Sequence, residues 1–409
     1  MEYKWIINDA EKLEDEIVRI RQELHKIAEV GFSLENTCRF VRNELEAVGC
    51  KVELCGRQGL VCTIEGQGKG DFSDKCVLLR ADMDALPIKE ETELEFKSEN
   101  GNMHACGHDM HTAMLIGCAK ILFSNRDKFS HKIKLIFQSA EETLEGAKDM
   151  IDNGVLESPT VNCGAMLHII SGTNLDTGAL VFANSGVSAP SAEFFKVSIL
   201  GKSAHGAMPQ SAVNPIVPVS HIALAFDSLI AQEAKSSGNS LLTIGELHSG
   251  KAPNVISDRA TITGTLRSFE EESKGYLKLR MKEIVELYSQ AHRTKGTLEF
   301  TSSCPALTND QSLISVGIKN IKDAYSIINH SKPLSVLRAD ELESKSFASE
   351  DFAYFSKKIP TVMVGISGGK MENGFTYPLH HPKTSFDEKA LFYGTIVYCV
   401  LGISLAKGE

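Results

Sequence analysis

No Cys-x-x-Cys pair occurs in the chain, although ten cysteines do, spread singly from Cys38 to Cys399 over 409 residues. That spacing has none of the density of a small secreted disulfide scaffold. The thiols therefore read as reduced, mostly small core residues, in a cytoplasmic protein. Cations are in the minority, 43 Lys and Arg against 53 Asp and Glu, for a net charge of -10. A nucleic-acid groove or an anionic membrane surface needs clustered Lys and Arg, so neither is expected as a partner and small-molecule chemistry is the better default. The opening MEYKWIINDAEKLEDEIVRIRQEL lacks the cationic head, apolar core and cleavage site of a secretion signal. No stretch reads as the ~18 apolar residues of a bilayer span. Repeats, low-complexity segments and long linkers are missing as well.

What is present fits two to three domains with a substantial core, at 42% hydrophobic and 23% charged residues. Leu13, Ile17, Ile20, Leu24, Ile27 and Val30 recur at helical spacing, and a second helix carrying Phe40, Val41, Leu45 and Val48 stops at Gly49. Short apolar runs at 76–79, 133–137, 165–170 and 361–366 read as buried strands. Alternating helices and buried strands predict an open α/β sheet. Between them, strands at 193–202, 240–250, 258–268 and 296–303 and helices at 211–234 and 273–293 follow the order β-α-β-β-α-β. That order is the split ferredoxin-like α+β unit, here inserted into the first domain. The expected domains are 1–187, 188–305 and 306–409, the outer two forming one catalytic domain.

The densest chemistry lies in HACGHDMHTAML, residues 104–115. Met110, Ala113, Met114, Gly117, Cys118, Ile121 and Leu122 step by three and four, so a helix starts near Asp109 and buries that face. Cys106 and His108, with only Gly107 between them, can aim a thiolate and an imidazole at one point. At this stage they fit a metal-ligand pair or, since a helix N-terminus lowers a thiol's pKa, a cysteine nucleophile. His104 and His111 carry no role, and Asp109 suits the helix start or the orientation of a ligand.

Other polar groups fall at the ends of expected strands: Glu141 and Glu142 after 133–137, His168 within 165–170, and His380 and His381 after 361–366. The carboxyl ends of strands line the ligand crevice of an open α/β sheet, so these groups converge with Cys106 and His108. Consecutive side chains in extended chain diverge, which splits the two glutamates: one for metal, the other as general base. One histidine of the 380–381 doublet serves as a ligand, and the other is supporting or solvated.

RADMDALPI (80–88), HACGHDMHTAML, SAEET (139–143), LHII (167–170), GKSAHGAMP (201–209) and SEDFAYF (349–355) together resemble the metal-dependent amidohydrolases of the aminoacylase/carboxypeptidase family. Within it they are similar to the branch of hippurate hydrolase, auxin-conjugate hydrolases and N-acetyl-diaminopimelate deacetylase. The resemblance runs over nearly the whole chain. It implies an open-sheet α/β catalytic domain holding two divalent metal ions, Mn or Zn with Ni or Co as further options, and an inserted lid through which the protein forms a homodimer. Carried over, the ligands are Cys106, His108, Glu142, His168 and His380, with Glu141 as general base and Asp84 in support. His205 matches a lid histidine that helps hold the transition state in the partner's site. Asn254 and Arg267 match positions near the substrate carboxylate.

The implied reaction is hydrolysis of the amide bond of N-acyl amino acids by water activated on metal. A dipeptidase or carboxypeptidase on the same scaffold, and a catalytically silent metal-binding dimer, are the alternatives. Gly-Ile-Ser-Gly-Gly (365–369) imitates the nucleophile elbow of serine hydrolases, but no apolar helical period follows Ser367. The signature of zinc nucleobase deaminases and the Walker lysine are both missing.

Overall fold

The protein is described by a computed structural model covering residues 2–234, 239–328, 334–341 and 347–407. It divides into two compact units: residues 1–186, 308–344 and 354–409, and residues 187–307 with 345–353.

The first unit is built on a mixed sheet. Its strands include β1 (Val52–Cys55), β2 (Gly59–Glu65), β3 (Cys76–Asp82), β4 (Lys132–Gln138), β5 (Cys163–Ile170) and β6 (Leu180–Phe182), with Thr361–Ser367 and Val336–Arg338. Across the sheet they run β1, β2, β4, β3, β5, 361–367, β6, 336–338. β4, β3, β5 and 361–367 are neighbours and mutually parallel, so their carboxyl ends share one edge. Every residue of β3 is buried, as a strand covered on both faces requires. The sequence reading stopped this strand at Leu79; it continues to Asp82 because Arg80 and Asp82 neutralise one another at 2.7 Å inside the core.

The helices α1 (Lys4–Ile27), α2 (Glu35–Ala47) and α3 (His108–Ser124) follow the expected spacing. α1 ends earlier than its stripe, since Ala28 turns left-handed at φ 36° and Val30 instead bridges Ala85. α3 was expected to bury one face, but His108 through Leu122 are buried all round, because α1 and helix Lys389–Ser404 also pack against it. Residues Lys389–Lys407 correct a second expectation. With a mean hydropathy of 1.6 they are long and apolar enough to cross a bilayer, yet 83% of the stretch is buried within the protein. This is the composition of a central core helix.

In the second unit, strands Ser191–Leu200, Ser240–Ser249, Arg259–Ser268 and Lys295–Cys304 and helices Ile216–Glu233 and Glu271–Ala291 occur in β-α-β-β-α-β order. The strands lie 240–249, 259–268, 191–200, 295–304 across an antiparallel sheet. Phe195, Val197, Ile199, Phe226, Leu277 and Met281 form a separate core there.

Candidate metal centre and its carboxylates

The parallel strand ends of the first unit bring the chemistry together. Gly107 precedes α3 at φ 78°, and a Cβ there would meet Ile169 at 2.3 Å, so only glycine makes this turn. The turn presents Cys106 and His108 side by side. His108 donates its Nδ1–H to the Asp84 carbonyl at 2.8 Å, which aims Nε2 into the cluster, 3.9 Å from Glu142 Oε1. Cys106 Sγ lies 3.7 Å from His168 Nε2, and His168 Nδ1 donates to the Ile169 carbonyl at 2.8 Å. His380 arrives on a loop in the left-handed region, φ 64°, pinned by its N–H to the Ala105 carbonyl at 2.9 Å. Its Nε2 is 3.4 Å from Glu142 Oε1.

Within this cluster Cys106, His108 and His168 offer ligand atoms within 4.8 Å of one another, and so do Cys106, Glu142 and His380. The two triads share Cys106. His108 Nε2 and Glu142 Oε1 are buried without a well-aligned hydrogen-bond partner. Orphaned donors of this kind, in a set of thiolate, imidazoles and carboxylate, fit a divalent metal such as zinc or manganese. His108 and His168 each also make the second ring hydrogen bond that fixes ring orientation in metal sites.

The charges are mutually set. Burial pushes the Cys106 thiol up, but His108 and His168 outweigh it and bring the pKa down to about 6. Burial likewise opposes the His108 imidazolium, yet Asp82 and Cys106 hold its pKa well above the ordinary value. Glu142 stays below the usual carboxylate range: burial raises it, and His380 and His108 more than compensate. His380 is pushed up to about 10 by Cys106 and Glu142.

Glu141 and Glu142 do not diverge as extended chain would have them. Residues 141–144 form a turn closed by Leu144 N–H on the Glu141 carbonyl at 2.7 Å, and oxygens of both glutamates lie within 4.8 Å of His108 and of each other. Buried Asp84 holds the turn, one oxygen accepting the N–H of Glu141 and the other that of Glu142, each at 3.1 Å. Its own pKa is raised, chiefly by burial. His381 is turned away, stacked on Tyr377 at 4.4 Å between ring centres.

The candidates of the second unit have a different setting. His205 is exposed in a two-residue strand paired with Val255–Ile256, its Nδ1 accepting the N–H of Ala207 at 3.1 Å. Asn254 is exposed too, and its carbonyl accepts from Gly206 at 2.8 Å. Arg267 bonds the Phe347 carbonyl and Ser349 Oγ, both at 3.0 Å. Ser367 is buried with its hydroxyl donated to the Leu175 carbonyl at 3.0 Å, and glycines rather than a helix follow it, which removes the nucleophile-elbow reading.

Sequence reasoning missed Asp82 and His111, both buried beside the ligands with His111 Nδ1 2.5 Å from Asp82 Oδ1. The signals were available: 80, 82 and 84 share a face at strand period, and His111 lies one helical turn after His108.

A thiol, imidazoles and a carboxylate gathered at sheet ends, with a further carboxylate beside them, are groups that suit a metal-dependent hydrolase. The sequence model of peptidase family M20/M25/M40 matches residues 78–401, and the chain belongs to that family. It is 32% identical to thermostable carboxypeptidase 1 of Saccharolobus solfataricus over 403 residues, 98% of each chain. It is 34% identical to N-acetyl-L-cysteine deacetylase of Bacillus subtilis over 93% of this chain and 85% of that one. Among solved structures, a dinuclear metal binding peptidase of Bacillus subtilis superposes with a TM-score of 0.76 at 26% identity, over 98% of this chain and 100% of the other. The protein is thus an amidohydrolase, which sets aside the silent-scaffold alternative.

Proposed function

We propose that the protein hydrolyses the amide bond of N-acyl amino acids with two divalent ions, held by Cys106, His108 and His168 and by Cys106, Glu142 and His380. The observation that carries this reading is the pair of donor triads sharing one thiolate beside Glu141. When bound, the metal ions lower the pKa of water towards about 7 and polarise the amide carbonyl. Glu141 takes the proton of the attacking water and returns it to the leaving nitrogen, and Asp84 holds the turn that aims it. His205, from a second copy in a homodimer formed through the second unit as a lid, donates to the carbonyl oxygen as negative charge develops. Asn254 and Arg267 meet the substrate carboxylate. One thiolate and one carboxylate leave two dications only partly neutralised, which favours an anionic substrate. Ten free thiols accord with a cytoplasmic setting. Domain limits of 1–187, 188–305 and 306–409 go with this reading.

The test is a panel of N-acetyl and N-benzoyl amino acids and dipeptides, assayed after chelation and repletion with Mn²⁺, Zn²⁺, Co²⁺ or Ni²⁺. Activity lost to chelator, restored by metal and indifferent to a fluorophosphonate is expected; hydrolysis that survives complete chelation refutes the reading. The carboxypeptidase relative supports a second substrate reading, and faster turnover of dipeptides than of acyl amino acids would select it. Cys106→Ala should lose both ions, so a variant retaining two per chain by elemental analysis removes Cys106 as the shared ligand.

A further inference from the structure

One buried histidine beside the ligands is not used by this reading. His111 lies one turn after His108 on α3 and is fully buried. Its Nδ1 is 2.5 Å from Asp82 Oδ1, and its Nε2 is 2.7 Å from the Ile169 backbone nitrogen. A peptide N–H can only donate and an ionised carboxylate can only accept, so the ring is neutral, with its proton on Nδ1. Both nitrogens are then engaged. Although His111, Asp82 and His108 could form a third ligand triad by distance, the Nε2 lone pair is already spent on Ile169.

The two bonds lead towards two of the three histidines proposed as ligands: Ile169 towards His168, and Asp82, whose Oδ2 lies 3.6 Å from His108 Nε2, towards His108. Ile169 donates its N–H to His111 Nε2 and, at its carbonyl, accepts the Nδ1–H of His168. The ring of His168 is therefore oriented by a residue whose own backbone His111 holds. On the other side, Asp82 is fixed by Arg80 at 2.7 Å, and Arg80 reaches Gln138 on β4 at 3.1 Å. Thr112, next to His111, donates to the Asp82 carbonyl at 2.8 Å. The start of α3 is thereby tied to β3, β4 and β5, the strands whose ends carry Asp84, Glu141, Glu142 and His168.

We propose that His111 is a positioning residue that clamps the end of β5 to the start of α3, so that His168 and His108 address the same metal ion. The proposal rests on the reading of those two histidines as ligands. Its two bonds can be removed separately. His111→Gln offers an amide oxygen near the Nε2 position and keeps an acceptor for Ile169, whereas His111→Asn offers an amide N–H near Nδ1 and keeps only the donor to Asp82.

The experiment titrates Mn²⁺ and Zn²⁺ into the metal-free full chain of each variant, alongside the apo thermal midpoint, kcat and KM. His111→Asn is expected to bind metal about 10- to 100-fold more weakly, the range for lost supporting partners of ligands. Its kcat should fall with little change in KM, while His111→Gln recovers most of the affinity. A general packing role would make the two variants fail together, and that outcome overturns the proposal. So does wild-type affinity in His111→Asn. If that variant does not fold, nitrogen-15 spectra of the wild-type apo ring decide: an Nδ1–H tautomer is required, and Nε2–H refutes the clamp. A wild type that binds no metal at all sinks the metal reading instead, whatever the ring spectrum shows.

Discussion

The strand-end cluster of the first unit and the 201–267 segment of the second place most of their candidate residues in different physical settings, with exposed His380 and half-buried Arg267 as the exceptions. Cys106, His108, Glu141 and Asp84 are buried, and Cys106 and His108 each owe a shifted pKa to charged neighbours in the same cluster. His205 and Asn254 are exposed, and their bonds among the described residues lie within the short pairing of 204–207 with 254–256. Burying charge without water is costly unless partners are preorganised. The first cluster is preorganised by hydrogen bonds that His108, His168 and His380 donate to the carbonyls of Asp84, Ile169 and Ala105. The donor triads of the first unit are thus held in place by the fold itself, whereas His205 and Asn254 are proposed to act only through what they meet. Substitutions in the first should disturb metal or proton transfer, and those in the second should leave metal untouched.

The largest effect expected is that of Glu141→Gln. It preserves shape and the backbone bond to Asp84 but cannot accept a proton, so kcat should fall about 10²- to 10⁴-fold with full metal content. Steady-state kinetics paired with elemental analysis check both halves; near-normal turnover eliminates Glu141 as the base. Loss of metal in this variant would make Glu141 a ligand and blur the division between the two glutamates.

His205→Ala comes next. Removing one donor to a developing oxyanion costs about 10² to 10³ in kcat, or 2.7 to 4 kcal/mol. The imidazole is exposed, so metal content and thermal midpoint should not move. If His205→Ala instead loses metal, the contrast between the two units breaks, because a residue of the second unit would then belong to the ligand set.

How much of this was legible in the sequence follows from the kind of constraint each residue obeys. The core strands were readable from apolar runs, and the polar groups that gather at the strand ends from residues interrupting or ending those runs. What periodicity hides is pairing inside the core. Arg80 and Asp82 ended the predicted strand as charges although they satisfy one another within it. His111 looked idle because its partners, Asp82 and the Ile169 N–H, lie 29 and 58 residues away. The joint approach of Glu141 and Glu142 depends on a turn after β4, at Ala140 with φ 56°, that no apolar period marks. Asp109 lies in the first turn of α3, as expected of a residue serving the helix start, and its carboxylate also meets Arg21 at 2.7 Å and His25 at 2.8 Å on α1.

That last cluster yields the smallest effect, and one that needs no metal. His25 is buried between Asp109 and Glu90, with Nδ1 2.8 Å from the first and Nε2 3.1 Å from the second. Burial works against its protonated form, but Asp109 and then Glu90 prevail, so its pKa is raised. A group whose folded pKa lies above its unfolded value contributes stability that is complete below the unfolded value, about 6.5 for histidine. This contribution is lost as pH climbs through the raised folded value. In metal-free protein the urea midpoint should therefore decline above pH ~6.5, with a slope from this one group of at most about 1.4 kcal/mol per pH unit. Cys106 and His380 also titrate in apo protein, so the informative quantity is the difference between wild type and His25→Gln, which cancels their share. That difference should be largest at low pH and shrink as pH rises. A difference independent of pH would mean that folding leaves the His25 pKa unshifted, and one that grows as pH rises would mean that the ring is neutral in the folded chain; either outcome removes the charged pairing with Asp109 and Glu90.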